Sequence, residues 1–187
     1  MAVEALYKTA CAIPPHPRVF VLAAAMAAGP GLAPFYSYGD GVPGSSSLSE
    51  ALVINWGALD AGWPPVTFVP TLSLATLLDA IPSNLSVVLL KTDAQGWDDV
   101  VLRSAGETLA RVQVVQSEVF CPGTNLYKGV VNTWASVNAV LSPLGFEDTA
   151  GDRCAKKESS SYHDAVFVSP GCKGPYCDRR GLEIHLF

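Results

Sequence analysis

The sequence predicts an α/β domain organised around a mainly parallel sheet, and three observations predict it. From about position 71 onward, continuous apolar runs rich in Val and Leu alternate with segments whose apolar residues recur at helical spacing. Each apolar run is followed by a short polar loop, and Gly and Pro punctuate the boundaries. The chain has 187 residues with 49% hydrophobic positions, enough to bury one core and to need only one. We therefore read 1–187 as a single domain with a Cys-containing C-terminal tail at 170–187. Strands alternating with helices imply a parallel sheet with helices on both faces.

Ala2 to Leu6 is a short apolar piece that fits the end of a strand. After the Pro-rich turn at Pro14, Pro15 and Pro17, the run Arg18 to Leu22 reads as a strand buried on both faces. The span from Pro30 to Pro70 is rich in Gly, Pro and Ser and reads as a long irregular segment, with Phe35, Tyr36 and Tyr38 marking one extended piece. Thr71 is the expected N-cap of a helix carrying Leu74, Leu77, Leu78 and Ile81, which Pro82 ends. Ser86 to Lys91 reads as a buried strand and Thr92 to Gly96 as its exit loop. Trp97, Val100, Val101, Ser104 and Ala105 then share a helical face, with Asp98 and Asp99 near the positive N-terminus and Asp99 one turn from Arg103. Arg111 to Phe120 supplies another strand, and Val130, Trp134, Val137 and Leu141 mark a helix before Pro143. Gly145 to Thr149 and His163 to Ser169 close the domain as an antiparallel hairpin.

Composition removes several function classes. The net charge is −5 and the twelve basic residues are scattered, which argues against a nucleic-acid surface. The most apolar stretch, Val19 to Ala28, is shorter than a bilayer crossing, so no membrane span is expected. Met1 is followed by Ala2, Val3 and Glu4 rather than by a basic and then apolar leader. Five cysteines, four of them after position 120, point toward an oxidising compartment, secretory or extracellular. Cys172 and Cys177 are spaced to close a small loop, and Cys11 stands apart as the odd thiol. The Cys and His spacing completes no zinc set. Walker, HExxH and GxSxG patterns do not occur in the sequence.

In a sheet of this kind the ligand crevice lies beyond the C-terminal ends of the strands. That rule selects Glu4, the Ala23 to Ala25 run, Asp93 with Gln95 and Gly96, and Glu118 with Cys121. Asp93 follows four apolar residues and a short polar exit, so it either accepts N–H bonds from the next turn or serves a ligand. Glu118 lies in an apolar strand and requires a partner, either an ion pair with Lys91 or Arg111 or a functional contact. His163 is a candidate general base or a polar edge residue. His16 and His185 receive no role.

The segment Val69 to Val119 resembles the signature of the FkbM methyltransferase family. The residues that carry the resemblance are Lys91-Thr92-Asp93-Ala94-Gln95-Gly96-Trp97-Asp98, then Val101-Leu102-Arg103-Ser104-Ala105-Gly106, then Ser117-Glu118-Val119 at the end of a strand. Upstream, Ala25, Gly29 to Gly31, Phe35-Tyr36 and Ser45-Ser46-Ser47-Leu48 are similar to the family's third strand exit and its Ser-Ser-Leu motif, and Ala2 to Leu6 to its second strand. The resemblance implies a Rossmann-like class I methyltransferase sheet, N-terminally truncated because nothing corresponds to the first strand and its glycine loop. The missing strand is central in that sheet, so a gap is expected there.

The same resemblance implies S-adenosylmethionine as cofactor and O-methylation of a hydroxyl on a sugar or other small molecule, a glycan included. Glu4 would hold the ribose, Ala24 and Ala25 would line the adenine, and Asp93 would orient or deprotonate the acceptor. Ser46, Gln95 and Glu118 would face the substrate. Gln95 and Asp98 stand where the family usually has Glu, and Ala5 replaces its Pro. Two other readings stay open: a non-catalytic remnant serving as a binding or scaffold module, and a secreted, disulfide-bearing binding module.

Overall fold

The computed structural model describes residues 22–37, 46–52, 66–85, 87–124, 126–158 and 161–172. The expected strand at Ala2 to Leu6, nearly all of the one at Arg18 to Leu22, the Pro14 to Pro17 turn, and Cys11, Cys177, His16 and His185 lie outside the described residues.

The apolar runs assemble into two mixed sheets. The first has the order β1-β3-β2, from β1 (Ala25–Met26), β2 (Gly31–Tyr36) and β3 (Val66–Leu72). β3 runs parallel to β1 and antiparallel to β2. The second has the order β4-β5-β7-β6, from β4 (Val87–Thr92), β5 (Val112–Phe120), β6 (Glu147–Asp148) and β7 (Tyr162–Val168). In it only β4 and β5 are parallel.

These pairings overturn the expectation of a mainly parallel, Rossmann-like sheet. β7 leaves β6 through the expected hairpin and enters between β6 and β5, so both of its ladders are antiparallel. β3, which would have to sit in one parallel series with β4, pairs with β1 and β2 instead. Among the described residues β4 is an outer strand of its sheet, as is β6.

Helix placement differs as well. α1 (Leu74–Ala80), α2 (Asp98–Arg103) and α3 (Trp134–Leu141) contribute Leu74, Leu78, Val101, Leu102, Val137 and Leu141 to a single core. That core rests on one face of the second sheet, where Leu90, Val115 and Phe167 lie in register across three strands. The alternating periodicity of β5 puts Gln116 and Glu118 on the other face.

Local chemistry explains the helix ends. Ser73 caps α1 by accepting the Thr76 N–H at 3.2 Å, while the expected cap, Thr71, belongs to β3 and donates to the Gly29 carbonyl. Arg111 donates to the carbonyls of Leu78, Ile81, Pro82 and Leu85, gathering the carbonyl groups at and beyond the end of α1. In α2 the expected pair forms, with Arg103 Nη2 3.1 Å from Asp99 Oδ2. Thr133 and Ser136 make a reciprocal capping box at α3. Among the described residues no helix is long and apolar enough to cross a membrane.

Candidate functional site

β4 delivers the chain into the loop 93–97, which is held in a sharp turn by two left-handed residues, Gln95 at φ 50° and Gly96 at φ 97°. Gly96 is enclosed: a Cβ there would meet Val130 Cγ1 at 2.7 Å, and Phe120 and Tyr127 at 3.3 Å. Asp98 reaches back from the start of α2 and accepts the Ala94 N–H at 3.2 Å. The backbone role considered for Asp93 thus belongs to Asp98.

The segment 46–52 docks on this loop. Ser47 donates to the Gln95 carbonyl at 2.9 Å, and the Trp97 indole donates to Ser49 Oγ at 2.9 Å. Tyr127 donates to Gln95 Oε1 at 2.7 Å.

Between the two sheets lies a cleft of about 450 Å³ whose walls include Ala24, Ala25, Phe35, Ser46, Leu90 and Asp93. Four of the expected site residues, Ala24, Ala25, Ser46 and Asp93, therefore meet here from three separate stretches of chain. Gln95 and Glu118 stand beside the cleft rather than in its wall. Gln95 Nε2 donates to Asp93 Oδ1 at 2.7 Å and lies 3.5 Å from Glu118 Oε2. Glu4 lies outside the described residues.

A slightly larger cleft, about 470 Å³, opens at the other end of β5 beside Arg111, Gln113 and Phe146. Its single charged wall residue is Arg111, whose guanidinium is already taken by the carbonyls at the end of α1. Chemistry therefore selects the inter-sheet cleft over the larger one.

The charges around the inter-sheet cleft are mostly negative. Asp93 Oδ2 lies 3.4 Å from Lys91 Nζ. Burial pushes Glu118 up to about 7, helped by the neighbouring carboxylates of Asp93, Asp98 and Asp164 and opposed by Lys91. The ion pair considered for Glu118 is not what forms, because Lys91 pairs with Asp93 and Arg111 turns to α1. Burial likewise raises Asp98 to about 6, with the Ala94 N–H pulling the other way.

His163 is not part of the cleft wall. It is buried, with Nδ1 3.4 Å from Cys154 Sγ, and burial holds its pKa below the ordinary value, with Arg153 adding to the effect. Cys154 is joined to Cys121 in a disulfide. The atoms of Cys121, Cys154 and His163 lie within 4.8 Å of one another, but the bonded sulfurs are not free to take a cation. Cys172 is also disulfide-bonded.

Sequence reasoning missed Ser47, Asp98, Tyr127 and Asn132 as parts of this site, and missed the Cys121–Cys154 pairing. Asp98 carried a signal, since it stands one turn beyond a loop whose N–H groups require acceptors. Tyr127 and Asn132 carried none, because the side chains they bond, Gln95 and Asp98, are more than thirty positions away. No family model, no curated protein and no solved structure matches this chain.

Proposed function

We propose that this chain is an S-adenosylmethionine-dependent O-methyltransferase acting on a hydroxyl of a sugar or another small molecule. The observation that carries the reading is the convergence of Ala24, Ala25, Ser46 and Asp93 on one cleft. The cleft volume of about 450 Å³ falls within the ~300–1,000 Å³ usual for small-molecule sites. Ala24, Ala25, Met26 and Leu90 form an apolar wall suited to a purine, and Ser46 and Asp93 offer polar groups to hydroxyls. Bound there, the cofactor supplies an electrophilic methyl group.

The chain's own residues supply alignment and a place for the acceptor's proton. Asp93, steadied by Lys91 and Gln95, accepts the hydrogen bond of the acceptor hydroxyl at the cleft wall. Glu118, raised to about 7 and one amide group away, is a second proton acceptor near neutral pH. The Cys121–Cys154 disulfide supports placing the protein in an oxidising compartment.

Isothermal calorimetry with S-adenosylmethionine tests the reading. Saturable binding that an Ala25→Trp variant loses is the expected result. A second reading, a non-catalytic binding module, is favoured by one observation, that β4 is an outer strand among the described residues rather than a central one. Absence of saturable heat in the wild type decides for it.

A further inference from the structure

We propose that Tyr127 is a positioning residue that locks the Gln95 amide with its NH2 group toward Asp93 and Glu118. This deepens the reading of Asp93 as the group that meets the acceptor and rests on it, but not on the identity of the methyl donor. An ionised carboxylate only accepts hydrogen bonds, so the face of Gln95 turned to Asp93 Oδ1 at 2.7 Å must be the NH2 face. The Tyr127 hydroxyl, 2.7 Å from Oε1 on the other side, donates and thereby makes the opposite amide orientation unfavourable.

Tyr127 is itself enclosed by its neighbours. It is 1% exposed, its ring stacks on Phe120 with centroids 6.2 Å apart, and its backbone bridges to Ala51. The Gln95 backbone is gripped separately by Ser47. Side chain and main chain of Gln95 are thus both held, and the only polar hydrogens its side chain offers point at the two carboxylates. Without the phenol, Oε1 loses its donor and the amide is held only from the carboxylate side.

The groups that face Glu118 are Asp93 and Lys91 from β4 and its exit, Asp98 from α2 and Asp164 from β7. A titration of Glu118 is therefore visible at the Gln95 amide that links it to Asp93. The test is nitrogen-15 NMR of the Gln95 side-chain amide in the full chain, assigned by its disappearance in Gln95→Ala. In the wild type the two amide protons should be well separated and should shift with a midpoint near pH 7, as Glu118 does. In Tyr127→Phe they should collapse toward the positions of a free glutamine amide while the backbone spectrum is kept. Unchanged amide protons in a folded Tyr127→Phe protein overturn the proposal. If that variant does not fold, the wild-type sequence carrying 3-fluorotyrosine in place of tyrosine decides: a shift of the Gln95 amide protons supports the lock, because fluorine alters the phenol that donates to Oε1, and unchanged amide protons overturn it. None of these measurements uses the cofactor, so failure of the methyltransferase reading shows up separately, in the calorimetry.

Discussion

Asn132 donates from Nδ2 to Asp98 Oδ2 at 3.0 Å, between two side chains that are both at most 1% exposed. The same amide group donates to the Glu118 carbonyl at 2.9 Å, and Asn132 Oδ1 accepts the Asp99 N–H at 3.2 Å. One side chain thereby ties the start of α2 to the end of β5. Asn132→Leu should cost about 3 kcal/mol in urea unfolding, because it strands a buried carboxylate and a buried N–H together. A loss below about 0.5 kcal/mol, the range of surface substitutions, would show the bridge to be dispensable.

Asp98 should make stability fall with rising pH. Its folded pKa is raised from 3.8 to about 6 by burial, so between those values the folded chain holds a proton that the unfolded chain releases. The contribution is full below about pH 4 and is lost as pH climbs through about 6, an interval worth on the order of 3 kcal/mol. Glu118, raised from 4.5 to about 7, acts in the same direction. The stability of Asp98→Asn relative to the wild type should therefore rise across about pH 4 to 6. Melting curves of both proteins over that range check it, and a difference independent of pH refutes it.

Gly96→Ala combines a positive φ of 97° with a Cβ 2.7 Å from Val130 Cγ1. Backbone strain of this kind costs about 1–3 kcal/mol before the clash is added. The expected outcome is a lower denaturation midpoint together with a change in the fluorescence of Trp97, whose indole is bonded to Ser49 beside the loop. An unshifted midpoint contradicts the packing.

The disulfide between Cys121 and Cys154 spans 33 positions and joins the end of β5 to the loop that feeds β7. Cross-links closing loops of that size stabilise by about 3–4 kcal/mol in the chain-entropy account. The double variant Cys121→Ser, Cys154→Ser should lose a comparable amount in denaturant unfolding without added reductant. Equal midpoints for variant and wild type count against it.

Asp93→Asn should reduce methyl transfer about 10²-fold or more if its carboxylate takes the acceptor's proton. Asp93 is exposed, so the melting temperature should change little. Full turnover in the variant removes Asp93 from the chemistry, whatever the acceptor.

Much of the local structure was legible. The apolar runs of β4 and β5, the helical spacing of Leu74 and Leu78, the Asp99–Arg103 pair and the hairpin of β6 with β7 all follow from neighbours a few positions apart. β3 was hidden because Pro70 sits within it and its Val66 and Phe68 face outward, 48% and 71% exposed, so the run has neither the continuity nor the alternation of a buried strand. Thr71 looked like a cap because cap chemistry is local, yet its hydroxyl is engaged by Gly29, 42 positions away.

For the site, the residues at strand exits could be chosen in advance, but their partners could not. Asp93, Ser46 and the two alanines are polar or small residues at recognisable places in the pattern. Their assembly into one cleft depends on how β1, β3 and β4 lie in space. The sequence by itself determined the three helices, the strands β4 to β7 and which acids end the strands, because these depend on short-range periodicity. Only the tertiary structure decided that the strands divide into two mixed sheets, that Asp98 rather than Asp93 caps the loop, and that Tyr127 grips Gln95. Strand pairing and buried hydrogen bonds join residues far apart in the chain, and every donor and acceptor taken out of water must find whichever partner the packing brings to it.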